Sequence, residues 1–167
     1  ANFMKSYTMP PREFAMMAEL SREYGADVVC VVDSAGGMMR SDVEGYLRAV
    51  RDVSDIPLAF HGHDNLGLAV SHSLCAAEQG AVTVDGSLQG MGRSAGNAPT
   101  ERLVAAFHRM GYETGIDLLE LLDVGAKYVR PLIRRTGHNM LDTVCGYALF
   151  HSSFMGVIRR FSSQYRV

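Results

Sequence analysis

Residues 28–32 read Val-Val-Cys-Val-Val, an apolar run that is almost wholly β-branched, with Gly25 before it and Asp33-Ser34-Ala35-Gly36-Gly37 after it. β-Branched side chains favour extended backbone, and a strand that is apolar at every position needs cover on both faces. A half-exposed antiparallel strand would alternate, so the run argues for a central strand of a parallel sheet. The flanks agree with that reading. Pro10-Pro11 suits the first turn of a helix, Phe14, Met17, Ala18 and Leu20 recur near helical spacing, and Gly25 stops the pattern. After the run, Ser41 reads as an N-cap for Val43, Tyr46, Leu47, Val50 and Val53, and residues 57–60 make the next strand.

The cycle then repeats. His61-Gly62-His63-Asp64-Asn65 ends the strand, a helix is predicted over 66–79, Gly80 closes it, and residues 81–85 form a short strand. A glycine-rich loop over 86–97 follows, and Pro99 and Thr100 open another helix. With residues 2–7 as the end of a first strand, the chain holds four strand-then-helix units, which require parallel pairing through crossover helices. Four such units are half of an eight-stranded βα barrel, a fold whose chemistry sits on the loops after the strands. Beyond Gly111 the pattern changes: 116–129 and 141–165 read as helices around a polar turn at 134–139. The expectation is an α/β chain, the second half of a (β/α)8 TIM barrel over residues 1–112 with a helical C-terminal region over 113–167.

Charge and composition narrow the function. Sixteen Lys plus Arg against 18 Asp plus Glu leave a net charge of −2, which gives no reason to expect nucleic acid as a partner. No apolar run approaches the ~20 residues that span a bilayer, and no charged-then-apolar leader opens the chain, so a cytoplasmic protein without a membrane partner is expected. Cys30, Cys75 and Cys145 are odd in number and set among apolar neighbours, as reduced core thiols are. The 10 Met residues, with pairs at 16–17 and 38–39, read as core filler. No H-E-x-x-H or paired-cysteine motif supports zinc-hydrolase or redox chemistry.

Polar residues gather where the strands end: Lys5 and Ser6, Asp33 and Ser34, His61, His63 and Asn65, Asp85 and Ser87, then Asn97. His61 and His63 flank a glycine, and on extended backbone their side chains point the same way, so two imidazoles can reach one divalent first-row ion. Asp64 and Asn65 offer oxygen nearby; the competing reading is two structurally bonded or surface histidines. The loop reading GSLQGMGRSAGN lacks the Walker pattern and the dinucleotide register, which favours a structural loop over a phosphate cradle. Asn97 is either an N-cap or a residue aimed at a metal. Asp33 and Asp85 are candidates for acid, base or ligand roles, or caps of the next turn. His72 and His108 lie in predicted helices and His138 in a turn, with no sign of chemistry.

YGADVVCVVDSAGGM at 24–38, FHGHDNLGLAVSHSLCAAEQGAVTVDGSLQGMGRSAGNAPTE at 60–101 and GYALFHSSF at 146–154 closely resemble the 4-hydroxy-2-oxovalerate aldolases. These belong to a wider group of metal-dependent barrel lyases with 3-hydroxy-3-methylglutaryl-CoA lyase and isopropylmalate synthase. The H-x-H-x-N segment is common to the group, while VDSAG and GYA…SSF point to the aldolases. The resemblance implies a lyase of aromatic hydrocarbon catabolism that cleaves 4-hydroxy-2-oxovalerate, a 2-keto acid, to pyruvate and an aldehyde. It implies a divalent metal, usually manganese (Mn2+), with His61, His63 and Asn97 as the metal residues. Ser34, His61 and Tyr147 are implied as substrate-binding residues, Tyr147 towards the aldehyde. His151 stands where the aldolases have a second tyrosine.

In that family the first barrel strand carries an arginine-aspartate motif, supplying the third metal ligand and the arginine that stabilises the enolate, and a histidine base follows it. Nothing in this sequence matches that motif, so the likeness is to the C-terminal half only and the catalytic residues are unassigned. Activity is therefore expected of an assembled barrel, completed by the missing N-terminal half or by self-association. The resemblance also implies an acylating acetaldehyde dehydrogenase as partner. Leu149, Phe150, Phe154 and Ile158, at helical spacings, would form its docking surface or pack against the barrel. The alternatives are a Claisen-type lyase or synthase acting on acyl-CoA and a truncated interaction protein without turnover.

Overall fold

The computed structural model describes residues 1–133, 139–161 and 164. Four strands, β1 (Asn2–Phe3), β2 (Val29–Asp33), β3 (Leu58–Gly62) and β4 (Thr83–Val84), form one sheet in the order β1-β2-β3-β4. All three pairings are parallel. The helices α1 (Pro11–Glu23), α2 (Arg40–Arg51) and α3 (Ala69–Glu78) make the crossovers, and α4 (Thr100–Arg109) follows β4. The strand-then-helix alternation read from the sequence is therefore present in all four units.

Strand side chains divide by the two-residue period. Val29 and Val31 of β2 and Leu58 and Phe60 of β3 join Phe14, Val43, Leu47 and Val50 of the helices in the main core. Cys30, Val32 and Ala59 point to the opposite face and form a small separate cluster with Val28. Every residue of β2 is buried, as the unbroken β-branched run requires. The three cysteines are buried and free.

Element bounds differ from the sequence reading where side chains close a turn early or late. The Asp42 carboxylate accepts the Met39 N–H at 2.8 Å, so α2 begins before Ser41, which lies inside its first turn rather than capping it. Asp64 accepts the Ala69 N–H at 3.0 Å across a turn that uses Gly67 at φ 74°, so α3 starts later than residue 66. β4 is shorter than the expected 81–85.

In the C-terminal region α5 (Leu118–Val124) is capped by Asp117, whose Oδ1 accepts from Leu119 N and Glu120 N. It runs on through a wide turn at Gly125–Val129 and a tight one at Arg130–Leu132. Most of the polar turn expected at 134–139, with His138, lies outside the described residues. The single helix expected over 141–165 is two, α6 (Met140–Tyr147) and α7 (Met155–Phe161), with a tight turn at Ser152–Phe154 between them. The break is a Schellman closure: Phe150 N donates to Cys145 O, Leu149 N donates to Gly146 O, and Leu149 takes the left-handed conformation at φ 52°.

The end of α6 is seated on the loop after β2. A Cβ on Gly37 would run into the Gly146 carbonyl, and one on Gly36, at φ 59°, would lie 2.6 Å from Asn65 N and His63 O. Only glycine allows the β2 loop, the β3 loop and α6 to approach so closely. Gly37→Ala is expected to destabilise the protein by about 2 kcal/mol, the usual scale for overpacking, measured by urea unfolding. Gly45→Ala, at a glycine inside α2 with nothing near its Cβ direction, serves as the control and should raise stability by about 0.5–1 kcal/mol.

Candidate functional site

Parallel register decides which side chains meet at the strand ends. Val32 pairs with His61 across β2 and β3, and Ala59 pairs with Thr83 across β3 and β4. Two residues further along the same face, His61 and Asp85 come together, with His61 Nδ1 3.1 Å from Asp85 Oδ2. A carboxylate only accepts, so Nδ1 carries the proton and Nε2 keeps its lone pair. This is the arrangement in which an outer carboxylate orients an imidazole that ligates through its other nitrogen.

His63 follows on the same face, its ring 5.3 Å from that of His61 at 72°. It is buried, and its Nδ1 has no hydrogen-bond partner. Burial first, with help from the neighbouring His61 and Arg93, holds its imidazole down to about 4 from the ordinary 6.5, so it is neutral at pH 7. Asn97 reaches this point through an antiparallel bridge to His63. Its Oδ1 is buried without a partner, while its Nδ2 donates to Met91 O at 3.3 Å. α4 is capped by backbone at Pro99 with no side-chain cap, so the structure removes the N-cap alternative for Asn97. The Asn97 oxygen and, with the ring proton on Nε2, the His63 Nδ1, both buried without partners, fit a cation. Among the described residues no cluster of at least three His, Cys, Asp or Glu side chains is placed to hold a metal, so the set is partial.

Asn65 ties the loops around this point together. Its Nδ2 donates to Ala35 O at 2.8 Å and its Oδ1 accepts from Ala95 N at 3.0 Å, bridging the loops after β2 and β4. Asp33 is buried and accepts from Gly37 N at 3.2 Å and Met38 N at 3.0 Å, the turn-capping role. Burial nevertheless pushes its carboxyl up to about 6 from 3.8, against those backbone bonds. Ser34 is buried and its Oγ accepts the Lys5 N–H at 2.9 Å, which leaves its hydroxyl hydrogen free to donate.

Tyr147, expected near substrate, is 85% exposed at the end of α6. His151, by contrast, is 7% exposed and electrostatically coupled to His63. Arg93 is also felt at both histidines. Spacing gave no sign of either, because both arrive from loops distant in sequence. The glycine-rich loop is structural, with Gly90, Met91, Gly96 and Asn97 N–H groups bonded to carbonyls within the loop and therefore unavailable to cradle a phosphate. Glu101 anchors it by accepting Gln89 N at 2.9 Å. His72 is buried within α3, and His108 bonds Thr114 Oγ1 at 2.8 Å outside the site.

A run of parallel βα units with an H-x-H pair at a strand's C-terminal end defines the class: half of a βα barrel. Residues 2–127 match the HMGL-like family, and the chain belongs to that family. It is 41% identical over 167 residues to the 4-hydroxy-2-oxovalerate aldolase of Carboxydothermus hydrogenoformans, covering 98% of this chain and 49% of the relative. It is 45% identical over 130 residues to the enzyme of that name from Geobacillus genomosp. 3, covering 78% of this chain and 39% of the relative. Among solved structures, the N-terminal domain of a Bacteroides vulgatus protein assigned as an aldolase superposes with TM-score 0.82 at 26% identity, over 98% of this chain and 54% of that one. The HMG-CoA lyase of Brucella melitensis superposes with TM-score 0.69 at 28% identity, over 76% of this chain and 47% of that one. The chain thus spans about half the length of the curated relatives it matches.

Asp33 and His63 should leave opposite marks on stability. The raised carboxyl of Asp33 makes the fold lose stability as pH rises from about 4 to 6, because the folded state binds the extra proton. The lowered imidazole of His63 makes it gain stability as pH rises from about 4 to 6.5, because the unfolded state binds the extra proton. In chelator-treated buffer, urea unfolding of Asp33→Asn should show stability rising more steeply with pH over this window than in the wild type. His63→Gln should show it rising less steeply or falling.

Proposed function

We propose that this chain is the metal-holding half of a lyase that cleaves 4-hydroxy-2-oxovalerate, or a homologous 4-hydroxy-2-keto acid, into pyruvate and an aldehyde. The observation that carries the reading is the convergence of His61, His63 and Asn97 at the strand ends with two buried lone-pair atoms unpartnered. The names and identities of the relatives support the aldolase over an acyl-CoA lyase.

His61, His63 and Asn97 would hold a divalent first-row ion, and the family resemblance makes manganese the first choice. Such an ion, when bound, supplies a Lewis acid that polarises the C2 carbonyl and stabilises the charge of the pyruvate enolate. The protein's own residues prepare this. Asp85 fixes the His61 tautomer, burial keeps His63 neutral, and Asn65 holds the loops after β2 and β4 at a set distance from one another. Ser34 retains a hydroxyl hydrogen to offer a keto-acid oxygen.

The donor set lacks a carboxylate ligand and a base, and the relatives are about twice as long. The reading therefore assigns those groups to a further barrel half, with residues 1–112 as barrel and 113–167 as helical region. An acylating acetaldehyde dehydrogenase would dock on the helical region, where Leu149 and Phe154 are about half exposed.

Manganese titration by calorimetry on the full chain, with pyruvate release from 4-hydroxy-2-oxovalerate followed in parallel, tests the proposal. His61→Ala and His63→Ala should each abolish measurable binding, and Asn97→Ala should weaken it about tenfold or more. Asp85→Asn should weaken it by about 10- to 100-fold, as loss of an orienting carboxylate does. Binding that none of the four changes would sink the assignment.

A further inference from the structure

Asn97 stands at the end of a backbone stretch with little restraint of its own. Gly90, Gly92 and Gly96 precede it, and Gly96 lies at φ 102°. Glycines leave a segment free unless contacts from outside fix it. The Asn97 side chain packs on Gly92, where a Cβ would come within 2.9 Å of its Cγ and Nδ2, so the place of its unpartnered Oδ1 follows that of the loop.

Ser94 is the strained point of the loop. It is not glycine, yet it takes the left-handed conformation at φ 54°. Such a residue persists only where its surroundings over-determine it. Asn65 supplies the restraint: its Oδ1 accepts the Ala95 N–H at 3.0 Å and so fixes the plane of the Ser94–Ala95 peptide. Asn65 is 1% exposed, and its Nδ2 donates to Ala35 O at 2.8 Å, which keeps the amide from swinging away. Beside it, Asp64 N donates to Gly96 O at 2.9 Å, and His63 bridges Asn97. Residues 63, 64 and 65 therefore meet 97, 96 and 95 in antiparallel order, and the contact with 95 is made by a side chain in place of backbone.

We propose that Asn65 is the positioning residue of the donor set: through the Ala95 N–H it seats Asn97 against His63, so that both can serve one divalent ion. The inference rests on the metal-holding reading above and adds the residue that sets its third member. Asn65 has both arms committed to backbone, so its effect on metal binding runs through Asn97. Asparagine suits the task because one planar group carries the acceptor for Ala95 and the donor for Ala35. Aspartate would keep the first bond and lose the second, and alanine would lose both.

The test is a double-mutant cycle read by manganese calorimetry on the full chain, with the folding of every variant checked by urea unfolding. Asn65→Ala should weaken binding about tenfold, the scale of an outer residue that orients a ligand. In that background Asn97→Ala should cost at most about twofold more, because the Asn97 contribution is already lost. Asp85→Asn, which acts through His61, should add its full effect to that of Asn65→Ala. Asn65→Asp should bind manganese within about threefold of the wild type, since the Ala95 bond survives in it. Adding Asn97→Ala to Asn65→Asp should then cost about tenfold, which separates rescue through Asn97 from a new carboxylate ligand. Asn65→Leu, similar in volume and without either bond, replaces the alanine variant if a cavity unfolds the chain. Should neither fold, the aspartate pair alone decides. Full additivity of Asn65→Ala with Asn97→Ala, or an Asn65→Asp variant that loses tenfold or more, overturns the positioning role and leaves the metal reading in place. A wild-type chain that binds no manganese overturns both.

Discussion

The parallel register of β2 against β3, from Val29 with Leu58 to Asp33 with Gly62, is the constraint on which the rest of the molecule depends. In a sheet of period two it sends Val29, Val31, Leu58 and Phe60 into the helix-covered core and Cys30, Val32, Ala59 and His61 to the other face. A slip by one residue would exchange the faces and place an imidazole in the apolar layer against α1 and α2. The same register, carried into β4 by Ala59 against Thr83, brings Asp85 to His61. The packing that stabilises the fold and the pairing that orients the histidine are thus one arrangement.

The strand ends alone would leave three independent loops. They are joined by a compact polar and glycine contact: Asn65 bridges Ala35 and Ala95, and Gly36 and Gly37 let the β3 loop and the end of α6 come against the loop after β2. The helical region is therefore joined to these loops, because the close of α6 lands on the glycine pair. Its function depends on a backbone approach that only missing side chains permit.

The chemistry at this end of the sheet is divided by charge. His61, His63 and Asn97 present lone pairs, and Lys5, Arg93 and His151 present hydrogens and positive charge. Burial sharpens the demand at His63 Nδ1, Asn97 Oδ1 and His151 Nε2, since polar groups removed from water need partners.

The sequence by itself determined the four βα units, because an unbroken β-branched run and helix-spaced apolar residues have one economical burial each, and it marked His61 and His63 by their spacing. It also carried the family likeness in motifs contiguous in the chain. It left Asn97 open between cap and metal, because an asparagine before a helix start looks the same in both roles. Only the bridge to His63 and a helix capped by Pro99 backbone set the cap aside. It misread the C-terminal helix as continuous, because the break at Leu149 uses a left-handed residue where glycine would have signalled one. The exposure of Tyr147 at the end of α6 and the burial of His151 were decided by tertiary structure alone. Which side of a short helix faces a distant loop depends on packing between segments more than a hundred residues apart, and no local pattern encodes that.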